Sequence, residues 1–133
     1  MMQHIKSLLE NKTLLLLLAV LYSCGITVLF FIPTDGLPRV NFSSIDKVVH
    51  VAVFIVLILI WQLYVFKKEG GALSWRKSFV ILLSSLIYGI LIEVFQGLLT
   101  DLRSSDVLDV FANLAGSLIG VVLFQKIKHI FTF

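Results

Sequence analysis

Most of the residues able to do chemistry fall in three short runs. Asp46, Lys47 and His50 form the first, Glu93 and Gln96 the second, and Arg103, Asp106, Asp109 and Asn113 the third. Carboxylates beside an imidazole can hold and pass protons, so acid–base work by Glu93, Asp109 and His50 is one chemistry these types allow. Binding of a charged or polar ligand is another. His50, Glu93, Asp106 and Asp109 could in principle ring a metal, but no tight ligand motif such as His-Glu-x-x-His is present, and neither metal nor cofactor is expected. No glycine-rich phosphate loop and no nucleophile elbow occurs. The spacings put each run on one helical face. Asp46 and His50 stand at i, i+4. Gly89, Glu93 and Gln96 stand at i, i+4, i+7. Asp109, Asn113, Gly116 and Gly120 continue one stripe at i, i+4, i+7, i+11.

The elements that carry these faces follow from composition. Hydrophobic residues make up 59% of the 133 residues and charged residues 14%, against about 45–50% and 25% in a soluble domain. A chain this short has too little interior to hide that excess from water. Lipid as solvent resolves the conflict, and backbone groups in lipid must pair internally, in helices or a closed barrel. Long Leu, Ile, Val and Phe runs without alternation indicate helices. A spanning helix needs about 20 apolar residues, and four segments qualify, at about 13–32, 48–66, 79–99 and 107–124. Pro33 stops the first, and Lys67-Lys68-Glu69-Gly70-Gly71 ends the second. Short connections leave no room for a soluble domain. The expectation is one all-α domain over 1–133, a transmembrane four-helix bundle.

Lys and Arg placement orients the bundle. With the N-terminus in the cytoplasm, that side holds Lys6, Lys12, Lys67, Lys68, Arg76, Lys77, Lys126 and Lys128, and the far side only Arg39, Lys47 and Arg103. Both termini are therefore expected in the cytoplasm, with Trp75 near the inner interface. The net charge of +3 lies in these flanks and marks topology; no nucleic-acid partner is expected. The three chemical runs then meet near the outer ends of three spans. A charge at mid-bilayer costs roughly 2.5–3.5 kcal/mol on insertion scales, so Glu93 and Asp109 should face the bundle, paired or protonated. Lys47 and Arg103 are the cations at hand. Asp106 suits a helix N-cap, and Asn113 and Gln96 suit interhelical hydrogen bonds.

Ala112, Gly116 and Gly120 repeat every four residues, a spacing that lets helices approach closely. With Ser85 and Gly89 on the third span, they imply close packing of the last two spans. The single cysteine, Cys24, excludes an internal disulfide. Leu21-Tyr22-Ser23-Cys24 fits a lipoprotein cleavage box poorly at Tyr22, and the apolar run continues to Ile32, so Cys24 is read as a small thiol packed inside a span.

Together these residues resemble the VanZ-like family of small bacterial membrane proteins. The likeness rests on Asp46, Lys47 and His50 opening the second helix, Glu93 and Gln96 closing the third, and Arg103, Asp106, Asp109, Asn113, Gly116 and Gly120 leading into the fourth. Val51 stands where the family often has an aromatic residue after its histidine. The resemblance implies a multi-pass protein of the bacterial cytoplasmic membrane, in a family whose namesake is associated with resistance to the glycopeptide teicoplanin. It transfers no reaction. It implies that the functional polar set is Asp46, Lys47, His50, Glu93, Gln96, Arg103, Asp106, Asp109 and Asn113, which the Lys and Arg placement sets at the outer leaflet, where glycopeptides meet their lipid-linked targets.

Three functional readings follow. The first is binding or repositioning of an amphiphilic ligand, a lipid-linked cell-wall precursor or a glycopeptide, at the outer leaflet. The second is a membrane enzyme acting on a lipid-linked substrate. The third is a structural or assembly subunit of a membrane complex. The sequence favours binding over catalysis. The lipid bilayer is the one partner the composition demands; a homo-oligomer could enlarge the cavity.

Overall fold

A computed structural model describes residues 2–32, 43–99 and 106–132. Pro33, Arg39, Asp101 and Arg103 lie outside the described residues. Every element among those described is helical: α1 (Met2–Glu10), α2 (Lys12–Phe31), α3 (Ser43–Lys68), α4 (Trp75–Leu99) and α5 (Val107–Ile127), followed by a 3-10 turn over Lys128–Phe131. Four of these helices, α2 to α5, are long and apolar enough to cross a membrane.

The short α1 was not anticipated. Its apolar residues Met2, Ile5, Leu8 and Leu9 recur at helical spacing, and Asn11 separates it from α2. The Asn11 side chain accepts the Leu14 N–H at 3.1 Å, which satisfies one of the free donors at the start of α2. α3 and α4 each begin four or five residues before their apolar runs. Polar residues at a membrane boundary prolong a helix without lengthening its apolar run, so the helix outruns the hydrophobic signal. Ser74 stands just before α4, and its Oγ accepts the Lys77 N–H at 3.4 Å. The chain reverses between α3 and α4 through Gly70 and Gly71, at φ of 70° and 88°, where a Cβ would be strained. An ion pair between Lys77 and Glu69 closes this turn, and that ammonium holds the exposed Glu69 carboxyl below the usual range.

The bundle turns its large apolar side chains outward. Leu17, Leu21, Val28, Phe79, Leu98, Phe111 and Ile119 are all exposed, as lipid-facing residues should be. Inward on α5 lie Asp109, Ala112, Asn113, Gly116, Ser117, Gly120, Val121 and Phe124, a stripe at three- and four-residue spacing made mostly of small or polar residues. Lipid tails are as apolar as leucine, so helices in a bilayer associate through close contact and hydrogen bonds. α3 and α5 make the most extensive pairing. A Cβ at Gly116 would collide with the Val51 carbonyl oxygen, and one at Gly120 would lie 2.9 Å from Ile58 Cβ. The glycine stripe thus packs α5 on α3. The expected closeness of α4 and α5 arises elsewhere, through Ser85 and Ser117, whose hydroxyls lie 2.7 Å apart, and through Gly89, whose missing Cβ leaves room for Phe54 and Asn113.

Two further polar layers tie the helices together. Midway along, Tyr88 OH donates to the Ser23 carbonyl at 2.7 Å, Tyr22 OH to the Val53 carbonyl at 3.1 Å, and Trp61 Nε1 to Ser23 Oγ at 3.2 Å. Cys24 is exposed on the outside of α2, not packed inside. Near the start of α4, Ser78 Oγ donates to Gln62 Oε1 at 2.8 Å and accepts from Gln125 Nε2 at 2.7 Å. Lys67 Nζ reaches the Phe131 carbonyl at 2.7 Å, and Glu10, Lys12, Lys67 and Thr132 share one cavity. The junction of α1 with α2 and the last described residues therefore meet at one end of the bundle. The chemical residues gather at the other.

Candidate functional site: a buried polar cluster

The end of the bundle opposite the termini is built around His50. Its ring is 1% exposed and stacks on Phe30 of α2, centroids 4.4 Å apart and planes 18° apart. The Phe30 carbonyl accepts from Gln96 Nε2 at 2.6 Å, so one residue of α2 meets both α3 and α4. Across the helix interface, Asn113 Oδ1 lies 2.9 Å from His50 Nδ1. A carbonyl oxygen only accepts, so Nδ1 carries a proton, and in the neutral ring Nε2 presents its lone pair. That lone pair faces Asp109 Oδ2 at 3.9 Å.

Glu93 approaches from α4. Its Oε2 accepts the Asp106 backbone N–H at 3.4 Å, and its Oε1 lies 3.9 Å from His50 Nδ1. Among the described residues, Oε1 is buried without a hydrogen-bond partner, as is Asn113 Nδ2. Buried polar atoms are seldom left unpaired, and two within one small cluster set it apart from the rest of the bundle.

Lys47 bridges Asp106 Oδ2 at 3.1 Å and Asp109 Oδ1 at 3.4 Å. Asp46 lies beside His50 and Asp109, with one ligating atom of each within 4.8 Å of the others. Among the described residues, four carboxylic side chains thus gather here, and the one ammonium pairs with two of them. Asp106 caps α5, accepting the Leu108 N–H at 2.8 Å. That hydrogen bond first, and the Lys47 ammonium second, hold its carboxyl below the usual aspartate range. A group depressed in the folded state stabilises it above the unfolded value, and that stabilisation is lost as pH falls through the folded value. Amide exchange in the first turn of α5 is therefore expected to quicken as pH drops below about 4, beyond the intrinsic pH trend. Asp106→Asn should lack this extra step; an identical profile in the variant would contradict it.

Of the residues singled out from sequence, Asp46, Lys47, His50, Glu93, Asp106, Asp109 and Asn113 come together here. Gln96 lies one turn from Glu93 on the same buried face. Ala112 is buried on α5, and Arg103 lies outside the described residues. Phe30 was missed: an aromatic in an apolar run has no mark that separates a histidine platform from a lipid-facing ring. The Gln62, Ser78 and Gln125 network was missed as well, although a glutamine inside an apolar run is itself a signal.

Four membrane-length helices closed around an internal polar cluster define a multi-pass membrane protein. The chain belongs to the VanZ/LLP1 family, whose profile matches residues 3–131. Searches of curated proteins and of solved structures returned no match.

Proposed function

We propose that this VanZ family protein works at the outer leaflet of a bacterial cytoplasmic membrane, where it binds or repositions an amphiphilic ligand and so contributes to tolerance of teicoplanin. The observation that carries this reading is the buried carboxylate of Glu93, with one oxygen unpartnered inside a cluster drawn from α3, α4 and α5. An intramembrane carboxylate is a functional group by default, and an unsatisfied one offers an acceptor to a ligand. The exposed apolar residues in the first turns of α5, Val107, Leu108 and Phe111, suit an acyl tail. The excess of Lys and Arg at the opposite end of the bundle supports an outward-facing cluster.

The test is the teicoplanin concentration that stops growth of a susceptible Gram-positive host. Empty vector, the intact protein, Glu93→Gln and Asp109→Asn are compared at equal membrane abundance. The intact protein is expected to raise that concentration and both variants to fall back to the vector level. An intact protein that changes nothing at good abundance overturns the reading.

One observation favours a second reading. His50 has a carboxylate oxygen 3.9 Å from each ring nitrogen, Glu93 on one side and Asp109 on the other, an arrangement suited to proton transfer on a lipid-linked substrate. Turnover of such a lipid by purified protein, lost in Glu93→Gln, would favour catalysis; inactivity across candidate lipids would remove it.

A further inference from the structure

We infer that Asp46, His50 and Asp109 form a binding site for a divalent transition ion, with Glu93 and Asn113 orienting the histidine. Asn113 Oδ1 accepts the Nδ1–H hydrogen bond, which in the neutral ring leaves Nε2 as an acceptor facing a second acceptor, Asp109 Oδ2, at 3.9 Å. In the neutral ring no hydrogen lies between these two atoms, and a cation would bring them together. Asp46 completes the group, its oxygen within 4.8 Å of the other ligating atoms.

The surroundings follow the usual logic of a metal-bound histidine, which donates its other ring N–H to a carbonyl or carboxylate that fixes the tautomer and raises basicity. Nδ1 has the Asn113 carbonyl oxygen at 2.9 Å as its hydrogen-bond partner, with Glu93 Oε1 further off at 3.9 Å. The unpartnered, buried Oε1 lies on the Nδ1 side of the ring. Asp109 divides its oxygens, Oδ1 toward Lys47 and Oδ2 toward His50. Ligand atoms about 2.0–2.1 Å from a tetrahedral Zn2+ lie roughly 3.4 Å apart, so small side-chain rotations draw this set onto an ion. One imidazole nitrogen with two carboxylate oxygens suits Zn2+ or Mn2+ better than Mg2+ or Ca2+. Asp46 is only partly buried, which leaves an open position toward the membrane surface.

The experiment is equilibrium dialysis of the chelator-stripped full chain in detergent against Zn2+ or Mn2+, with thermal unfolding measured alongside. One ion per chain is expected, together with a higher unfolding temperature. Asp46→Asn preserves the side-chain shape at the rim of the site and should weaken binding about ten-fold or more, as should Asp109→Asn, with unfolding in the absence of the ion near that of the parent. Should Asp109→Asn fail to fold, Asp46→Asn decides alone. No uptake by the intact chain at about 100 µM ion, a concentration that would fill most of any site of micromolar affinity, overturns the inference. So does unchanged uptake by Asp46→Asn, which would place the ion elsewhere, for instance at His129. The assay holds no glycopeptide and no lipid precursor, so its failure and that of the tolerance reading are separate results.

Discussion

Replacing Gly116 by alanine is expected to destabilise the bundle by about 1–3 kcal/mol, although alanine is the better helix former. The new methyl group would meet the carbonyl oxygen, carbonyl carbon and Cα of Val51. These are backbone atoms in the middle of a hydrogen-bonded helix, with no rotamer to retreat into. α3 and α5 would have to move apart as rigid rods, loosening every contact along the pair. Gly25→Ala is the matched control. Nothing lies within 4 Å of a Cβ at Gly25, so the same change there should be neutral or slightly favourable. Unfolding of both variants in mixed micelles reads the difference. Equal stability of the two would mean that the helices do not approach this closely at Gly116.

His50→Ala carries the second large effect, a loss of about 3–5 kcal/mol. It empties a fully buried site, removes the ring stacked on Phe30, and strips Asn113 Oδ1 of its donor. Asn113→Ala should lose about 1–3 kcal/mol, because it leaves a buried N–H unsatisfied. The double variant should cost less than the two losses together, by about 0.5–2 kcal/mol, since the second change removes a group the first has already left unpaired. Strict additivity would show that the histidine and the asparagine do not depend on each other. Glu93→Gln, which keeps the shape of the side chain and an acceptor for the Asp106 N–H, should alter stability little, so its growth phenotype reports on function.

The helical segments were legible because lipid-facing residues need only be apolar, and apolar runs are visible without knowing any neighbour. The polar faces were legible for a related reason. Asp109, Asn113, Gly116 and Gly120 share a face through helix geometry alone, whichever helix lies opposite. What could not be read was the identity of that opposite helix. The glycine stripe pointed to α4, and the structure sets it on α3, because spacing along one helix carries no information about its rotation against two candidate partners. The pairing of Gln62 with Ser78 and of Tyr88 with Ser23 was hidden for the same reason. The amphipathic α1 escaped because a search for long apolar spans passes over nine residues with a polar face.

The intimate pairing of α3 with α5 has a consequence for how the protein is made. These two helices are separated in the chain by the whole of α4, and α5 is synthesised after α2, α3 and α4. Until it leaves the ribosome and enters the bilayer, the buried face of α3 has no backbone to rest on, and Lys47 and His50 stand in the membrane without Asp106, Asp109 or Asn113. Each newly inserted chain therefore passes through a three-helix stage with its polar face uncovered. α5 ends that stage, so a chain interrupted before Val107 would present this polar surface to the machinery that removes misassembled membrane proteins.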